Sequence, residues 1–261
     1  MNESRRLKRG LSDLSPLFGP DQKRDTPKGF YCLSVFSPNF PGDSLFLNAY
    51  LASRIATAEL PGSILSVDSH EGARAPQRDR TLRNESFGIR LRRITLSWDQ
   101  LEALWNVPPV AKPAGASTSH ALFLDFNYSH PGYFRKLIPI LDQWILLVQP
   151  TTESLTEAYK MIKATVPLNP RLEYFLLFDG SGADPRGGLL FERFSEMAAR
   201  RLGIHLVWLG SLHFPKESRA LAADLALDHL FLKPVPVDSV EKMALASLVL
   251  ASSRLPDPVT V

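Results

Sequence analysis

Two uninterrupted apolar runs, WILLV at 144–148 and YFLLF at 174–178, constrain the fold more than any other feature of the chain. A strand with apolar side chains on both faces has to be covered on both faces, as a parallel strand inside an α/β sheet is. Each run precedes a helix-forming segment, TESLTEAYKMIKA after the first and GGLLFERFSEMAARRLG after the second. The alternation predicts an α/β fold: a three-layer, doubly wound, mostly parallel sheet with helices on both faces.

The same alternation extends back to Phe30. The further strand candidates are FYCLSVFS, SILSVD, ALFLDF and IHLVWLG. The segment DSLFLNAYLASRIATAEL places Leu47, Leu51 and Ile55 at helical spacing. Three more helices are predicted, within SWDQLEALW, GYFRKLIPILD and VDSVEKMALASLVLAS. Cys32 lies in the first strand and is predicted to be a small buried apolar residue, and a single cysteine excludes an internal disulfide.

The domain organisation follows from charge and composition. Residues 1–28 hold seven Lys/Arg and four Asp/Glu, so this segment carries the whole net charge of +3 and is predicted to be a flexible basic arm. The alternative is a short amphipathic helix that docks on a partner or an anionic membrane, because Leu7, Leu11 and Leu14 are at helical spacing. Residues 29–251 are predicted to form the α/β domain and 252–261 a C-terminal tail. No apolar run reaches about 20 residues, and no signal-peptide core is present. We therefore expect a cytoplasmic protein, with peripheral contact at the inner membrane or cell pole as the alternative.

Candidate functional residues follow the predicted strands, because ligands of such sheets bind beyond the carboxyl ends of the strands. The first strand runs into SPNFPGDSL, where a nucleotide-binding protein carries its phosphate loop. Asp68 and Asp125 each end or closely follow a strand. His70 and His130 lie in two of the loops, and pairing with the aspartates as a metal or proton-transfer site is a weaker alternative.

Several phrases in order resemble the MinD/ParA-type deviant Walker ATPases, and within them FlhG-like flagellar-number regulators. The most specific is WILLVQPTTESLTEAYKMIKA, followed by FERFSEMAARRLGIHLVWLGSL and PVDSVEKMALASLVL. The resemblance covers about residues 30–250 and implies a P-loop NTPase-like fold. It also implies a nucleotide site formed by Gly42, Asp43, Ser44, Asp68 and Asp125.

The phosphate loop departs from the G-K-G-G-x-G-K-T pattern of that family. Gly42 and Ser44 stand at the positions of its last glycine and its threonine, whereas Asp43 stands at its lysine. Two unit charges ~4 Å apart interact by about 4 kcal/mol at an effective dielectric near 20, so this reversal weakens triphosphate binding by several kcal/mol. Pro38 and Pro41 each remove a backbone donor. Further departures are His70 at the second aspartate of the D-x-D motif and Phe178 or Asp179 at the adenine-reading asparagine.

We therefore expect a vestigial site with no bound cofactor, in a non-catalytic protein that acts through protein–protein contacts in cell-pole or flagellar organisation. The resemblance implies an FlhF-like GTPase as partner and a homodimer. The first alternative is a divergent ATP/Mg²⁺ switch using Ser44, Asp68 and Asp125, with an arginine such as Arg74 or Arg135. The second is a nucleic-acid-associated module using the arginine-rich segment 74–93, although nucleic acid is the less favoured partner.

Overall fold

The structure is a computed structural model, and it describes residues 29–37, 44–56, 60–68, 81–84, 89–106, 119–128, 130–179, 185–213, 222–225, 230 and 239–253. The strands are β1 Phe30–Phe36, β2 Gly62–Asp68, β3 Thr81–Asn84, β4 Ile89–Ser97, β5 His120–Asp125, β6 Gln143–Val148, β7 Glu173–Asp179, β8 Leu206–His213 and β9 Ala222–Leu225. The α-helices are α1 Ser44–Ile55, α2 Trp98–Asn106, α3 Pro131–Leu137, α4 Thr152–Thr165, α5 Pro185–Leu202 and α6 Val240–Ser253. A 3-10 turn, Ile138–Ile140, follows α3. The predicted arm 1–28, the segment 38–43 and His70 lie outside the described residues.

One mixed sheet organises these strands, in the order β3-β4-β2-β5-β1-β6-β7-β8-β9. The seven strands from β4 to β8 pair in parallel. The two outer strands, β3 and β9, pair antiparallel to their neighbours. The predicted fold class, a doubly wound and mostly parallel sheet, is confirmed.

Both faces of the sheet are covered, as the continuous apolar strands require. Leu47, Leu51 and Ile55 of α1 pack on one face, in a core that includes Tyr31 and Phe123. Helices α2 to α6 pack on the other face. The crossover from β1 toward β4 runs through α1 on one face of the sheet, whereas the helical crossovers toward β8 run on the other face. Right-handed crossovers that go in opposite directions along a sheet must lie on opposite faces.

Short-range polar contacts set the helix ends. Ser97 and Gln100 form a capping box before α2: the Ser97 N–H donates to Gln100 Oε1 (2.9 Å), and the Gln100 N–H donates to Ser97 Oγ (3.2 Å). Thr151 caps α4 through the Ser154 N–H. After α5, Gly203 adopts φ 69°, the left-handed conformation that ends a helix with least strain in glycine.

Sequence alone predicts no strand between residues 72 and 93, yet the structure places β3 and the first half of β4 there. Three arginines, Arg90, Arg92 and Arg93, interrupt the apolar pattern of IRLRRITLS. Strands at the margin of a sheet tolerate charged residues that central strands do not. The edge strand β9 was missed as well, because AADL carries no strand pattern.

A buried ion pair joins α6 to the amino-terminal edge of the sheet. Lys242 Nζ donates to Asp142 Oδ1, and the exposed fractions of the two side chains are 4% and 11%. The Cys32 N–H donates to Asp142 Oδ2 (2.8 Å), so one carboxylate links α6, β1 and the turn before β6. Cys32 is fully buried, as predicted; burial and the Asp142 charge raise the pKa of its thiol. Within the described residues, no helix is long and apolar enough to cross a bilayer.

Candidate functional site

The candidate site lies at the carboxyl ends of three neighbouring strands, β2, β5 and β1. The chain leaves β1 toward β2 through α1 on one face, and it leaves β5 toward β6 through α3 on the other. Such a reversal of direction opens a crevice at the strand ends, where ligands of doubly wound sheets bind. The ends that meet here are Phe36 of β1, Asp68 of β2 and Asp125 of β5.

Asp125 is held from both sides by protein donors. Asn48 Nδ2 of α1 donates to its Oδ1 (3.4 Å), and Ser66 Oγ of β2 donates to its Oδ2 (3.3 Å). Arg93 Nε of β4 in turn donates to Ser66 Oγ (3.3 Å). We call Asn48, Asp125, Ser66 and Arg93 the polar row. The polar row lies on the face of the sheet that α1 covers. In it, the Ser66 hydroxyl connects the Arg93 guanidinium to the Asp125 carboxylate.

Strand alternation explains why these side chains meet. Successive residues of a strand point to opposite faces, and Ala121 and Phe123 of β5 belong to the core beneath α1. Asp125, two residues further on, therefore faces α1 as well. Asn48 is fully buried on the sheet side of that helix. A buried amide and a half-buried carboxylate are tolerated because each reaches a polar partner.

Tyr128, three residues after Asp125, ties the same segment to the opposite face of the sheet. Its hydroxyl donates to the Val35 carbonyl (2.8 Å) and also pairs with Ser34 Oγ, which donates to the Leu124 carbonyl. Its ring packs against Phe36 (5.1 Å between centroids) and Trp144 (5.8 Å). Burial raises the pKa of this phenol, so the hydroxyl stays protonated and remains a donor at all ordinary pH values.

We expect Tyr128→Phe to lower the free energy of unfolding by about 1–3 kcal/mol, because the change leaves buried acceptors at the end of β1 without their donor. Urea unfolding followed by circular dichroism measures the loss. Tyr159→Phe is the matched control: Tyr159 is a partly buried residue of α4 that packs on the same core. We expect this variant to stay within about 0.5 kcal/mol of wild type. Equal losses for the two variants would contradict the role assigned to the Tyr128 hydroxyl.

The structure places some of the predicted site residues and not others. Ser44 is the first residue of α1, Asp68 is the last residue of β2 and is in register with Ser97, and Asp125 ends β5. Gly42 and Asp43 lie outside the described residues. The two candidates for the adenine-reading position end β7, where Phe178 is buried and Asp179 is half-buried.

The alternative roles of two further residues can also be judged. His130 caps α3, since its Nδ1 accepts from the Tyr133 N–H (3.4 Å), and its ring stacks on Tyr133. Arg135, an alternative source of positive charge, is exposed on α3, whereas Arg93 is linked to Asp125 through Ser66. Sequence reasoning placed Arg93 in the arginine-rich segment 74–93 as part of a nucleic-acid module, and it did not predict this link to Asp125.

Sequence reasoning assigned no role at the site to Asn48, Ser66 or Tyr128, and it placed Arg93 only in the arginine-rich segment 74–93. The one signal in the sequence is the polar Asn48 beside Leu47 and Leu51 in an otherwise apolar helix, which indicates a buried amide with a partner. Its partner lies 77 residues away along the chain, and Ser66 lies 59 residues from Asp125. No local pattern connects residues at such separations.

A magnesium nucleotide is the ligand that the resemblance implies at this edge. Mg²⁺ takes carboxylate and water oxygens at about 2.0–2.1 Å in octahedral geometry. Within the described part of the chain, no group of three or more His, Cys, Asp or Glu side chains is placed to hold a metal. Both oxygens of Asp125 also accept protein hydrogen bonds. These hydrogen bonds would compete with a metal ion for Asp125, and the segment 38–43, which the resemblance aligns with the phosphate loop, lies outside the described residues.

Comparison with known proteins reveals similarity of fold only. Neither a protein-family model nor a curated protein matches the amino-acid sequence. Among solved structures, the pNOB8 ParA protein matches with a TM-score of 0.53 at 11% identity, over 88% of this chain and 91% of that chain. A pNOB8 ParA structure bound to nonspecific DNA matches at 0.50 and 11%, over 84% and 99%. The MinC:MinD complex of Aquifex aeolicus matches at 0.47 and 11%, over 87% and 98%.

The sheet topology and these matches define the class of protein by its architecture: the chain has a P-loop NTPase-like α/β fold. The pNOB8 ParA protein is among the solved structures that resemble it in fold.

Proposed function

We propose that the protein is a MinD/ParA-like positioning or partitioning factor that acts through protein contacts and does not turn over nucleotide. The proposal assigns the contacts to an α/β domain of residues 29–251, with the basic arm 1–28 and the tail 252–261 as its flanks. Gly42, Asp43, Ser44, Asp68 and Asp125 form its vestigial nucleotide site.

The observation that carries this proposal is that the end of β5 and the segment after it are attached on opposite faces of the sheet. The polar row holds Asp125 under α1, and the hydroxyl of Tyr128 bonds to β1 on the opposite face. A ligand-driven switch requires a segment with two arrangements that the ligand binds with different affinity. Attachment of this kind disfavours a second arrangement and supports a constitutive surface for partners.

The proposed partner is a protein. An FlhF-like GTPase engaged by the arm 1–28 and a second copy of this chain are the specific candidates. Nucleic acid is less favoured, although one ParA structure of this fold is a complex with nonspecific DNA. Outside residues 1–28, the chain carries 23 basic and 23 acidic residues (30 − 7 and 27 − 4), so the remainder lacks the overall positive charge of most DNA-binding domains.

We expect isothermal titration calorimetry with ATP or ADP and Mg²⁺ to show no binding tighter than about 1 mM. The physical reason is the negative charge of Asp43 against the polyphosphate, together with the protein hydrogen bonds that already engage Asp125. Asp43→Lys is the informative variant, because it removes the repulsion and adds an attraction, and Asp43→Asn removes the repulsion alone. Affinity should rise in the order wild type, Asn, Lys.

Micromolar binding of ATP by the wild-type protein would contradict the proposal. It would favour the second candidate, a divergent nucleotide switch, which draws support from the convergence of Asp68 and Asp125 at one edge of the sheet beside the start of α1. That candidate requires ATP turnover, and Asp125→Asn would abolish it.

A further inference from the structure

The outer surface of α5 combines exposed apolar side chains with positive charge. The described part of the chain exposes three large apolar residues, and two of them are on this helix: Leu189 at 50% and Met197 at 38%. An open groove of about 540 Å³ runs along it and is lined by Arg193, Glu196, Met197, Arg200 and Arg201. We call these five residues and Leu189 the α5 outer stripe.

The opposite side of α5 is firmly packed, so the stripe is presented by a rigid element. Phe194 and Ala198 are buried in the core, and Phe191 packs edge-on against Trp208 of β8 (5.2 Å between centroids). Leu189 and Met197 are eight residues apart, about 12 Å along the helix axis. That separation corresponds to two turns of a helix laid alongside, which presents anchors at i and i+7 or i+8.

The charge of the stripe selects among possible occupants. Three arginines accompany one glutamate of the stripe, Glu196, which pairs with Arg200. Arg193 and Arg201 are left, with the exposed Glu192 beside them, so this surface of α5 carries a net charge of +1. The arm 1–28 carries +3 and would be repelled. A second copy of the chain, docked face to face by the same stripe, would set arginines against arginines.

A bilayer is the other anionic surface to consider. Membrane-bound amphipathic helices bury a broad, continuous apolar face beside a basic one. The stripe instead offers two separated apolar side chains with the acidic Glu196 between them. Arginine and methionine are, by contrast, enriched at protein–protein interfaces.

We propose that the α5 outer stripe is a docking surface for an acidic amphipathic helix of a protein partner. Its apolar anchors seat on Leu189 and Met197, and its carboxylates pair with Arg193 and Arg201. The surface goes beyond the proposed function, since nucleotide binding at the strand ends does not enter into it. The two ideas can therefore fail separately.

The test uses the full chain and a fluorescein-labelled synthetic helix of about 18 residues, with leucines spaced at seven-residue intervals and flanked by glutamates. Fluorescence anisotropy should show binding with a dissociation constant of about 10–100 μM, typical of a weak and transient interface. The same peptide with lysines in place of the glutamates should bind at least about tenfold more weakly, because its charges oppose the arginines.

Variants locate the binding on α5. R193E/R201E should weaken binding of the acidic peptide about tenfold or more, and L189S/M197S about fivefold, with unchanged circular dichroism. K160E/K163E makes the same change in net charge on exposed positions of α4 and should stay within about twofold of wild type. Equal binding of both peptides, or an unchanged affinity of R193E/R201E, would overturn the proposal. Failure of the acidic peptide to bind would also overturn the proposal. If the protein then sediments with vesicles of phosphatidylserine and phosphatidylcholine, a membrane is the occupant instead.

Discussion

Lys242→Met is expected to destabilise the protein by about 3–5 kcal/mol, more than any other single change considered. Removing one partner of a buried ion pair leaves the other charge without compensation in a poorly solvated place. Here the remaining charge is Asp142, whose side chain is only 11% exposed and retains a donor in the Cys32 N–H. The helix α6 would at the same time lose its polar attachment to β1 and β6. Urea unfolding near neutral pH measures the effect.

A double-mutant cycle separates the ion pair from the packing of α6. Asp142→Asn keeps an acceptor for the Cys32 N–H but leaves Lys242 without its carboxylate, so we expect a loss of similar size. The double variant K242M/D142N removes both charges, and replacing a buried pair by uncharged groups is often close to neutral. It should therefore recover most of the loss, to within about 1–2 kcal/mol of wild type. Additive losses in the double variant would show that packing, and not the uncompensated charge, dominates.

Acidification is expected to lower the free energy of unfolding by about 3 kcal/mol through His120 alone. This ring is buried at the start of β5, where its Nε2 lies 3.0 Å from Ser63 Oγ and its face stacks on Phe30. Burial lowers the pKa of His120 to about 4, from about 6.5 in an unfolded chain. The unfolded state thus takes up the proton first. The stabilisation is complete above pH 6.5, and it is lost as the pH falls from about 6.5 to about 4.

His120→Gln removes the titrating ring while keeping a side chain able to hydrogen bond with Ser63. The variant should show a flatter stability profile between pH 6.5 and 4 than wild type, whatever its stability at neutral pH. His205→Gln is the control, because His205 is exposed at the end of the α5–β8 connection. Its profile should follow that of wild type. Parallel profiles for wild type and His120→Gln would show that His120 titrates normally in the folded protein.

Local periodicity in the sequence was sufficient to predict most of the helices and the central strands. Leu47, Leu51 and Ile55 are all buried on one side of α1, as their spacing predicted. The runs WILLV and YFLLF became the buried parallel strands β6 and β7. By contrast, the pattern failed at β3, β4 and β9. These strands lie at or next to the edges of the sheet, where side chains need not be apolar, so the sequence carries less of the signal on which the prediction depends.

The same contrast applies to the candidate site. The position of Asp125 at a strand end was predictable, because an acidic residue that directly follows an apolar run can be located from the sequence. The donors that hold it could not be predicted in this way, since Asn48, Ser66 and Arg93 come from one helix and two other strands. The burial of Lys242 was equally invisible, because lysine is normally exposed and its partner lies 100 residues away.

The sequence by itself determined the class of fold, since uninterrupted apolar strands alternating with amphipathic helices are stable only as a parallel sheet covered on both faces. It also predicts the chemical character of the strand-end loop, where an aspartate and two prolines disfavour a bound polyphosphate; this remains a prediction, because residues 38–43 lie outside the described residues. The tertiary structure alone decided how Asp125 is engaged, how Tyr128 attaches the next segment to β1 and which face of α5 is left exposed. Hydrogen bonds and exposure depend on which distant strands become neighbours, and strand order is not written in any local pattern.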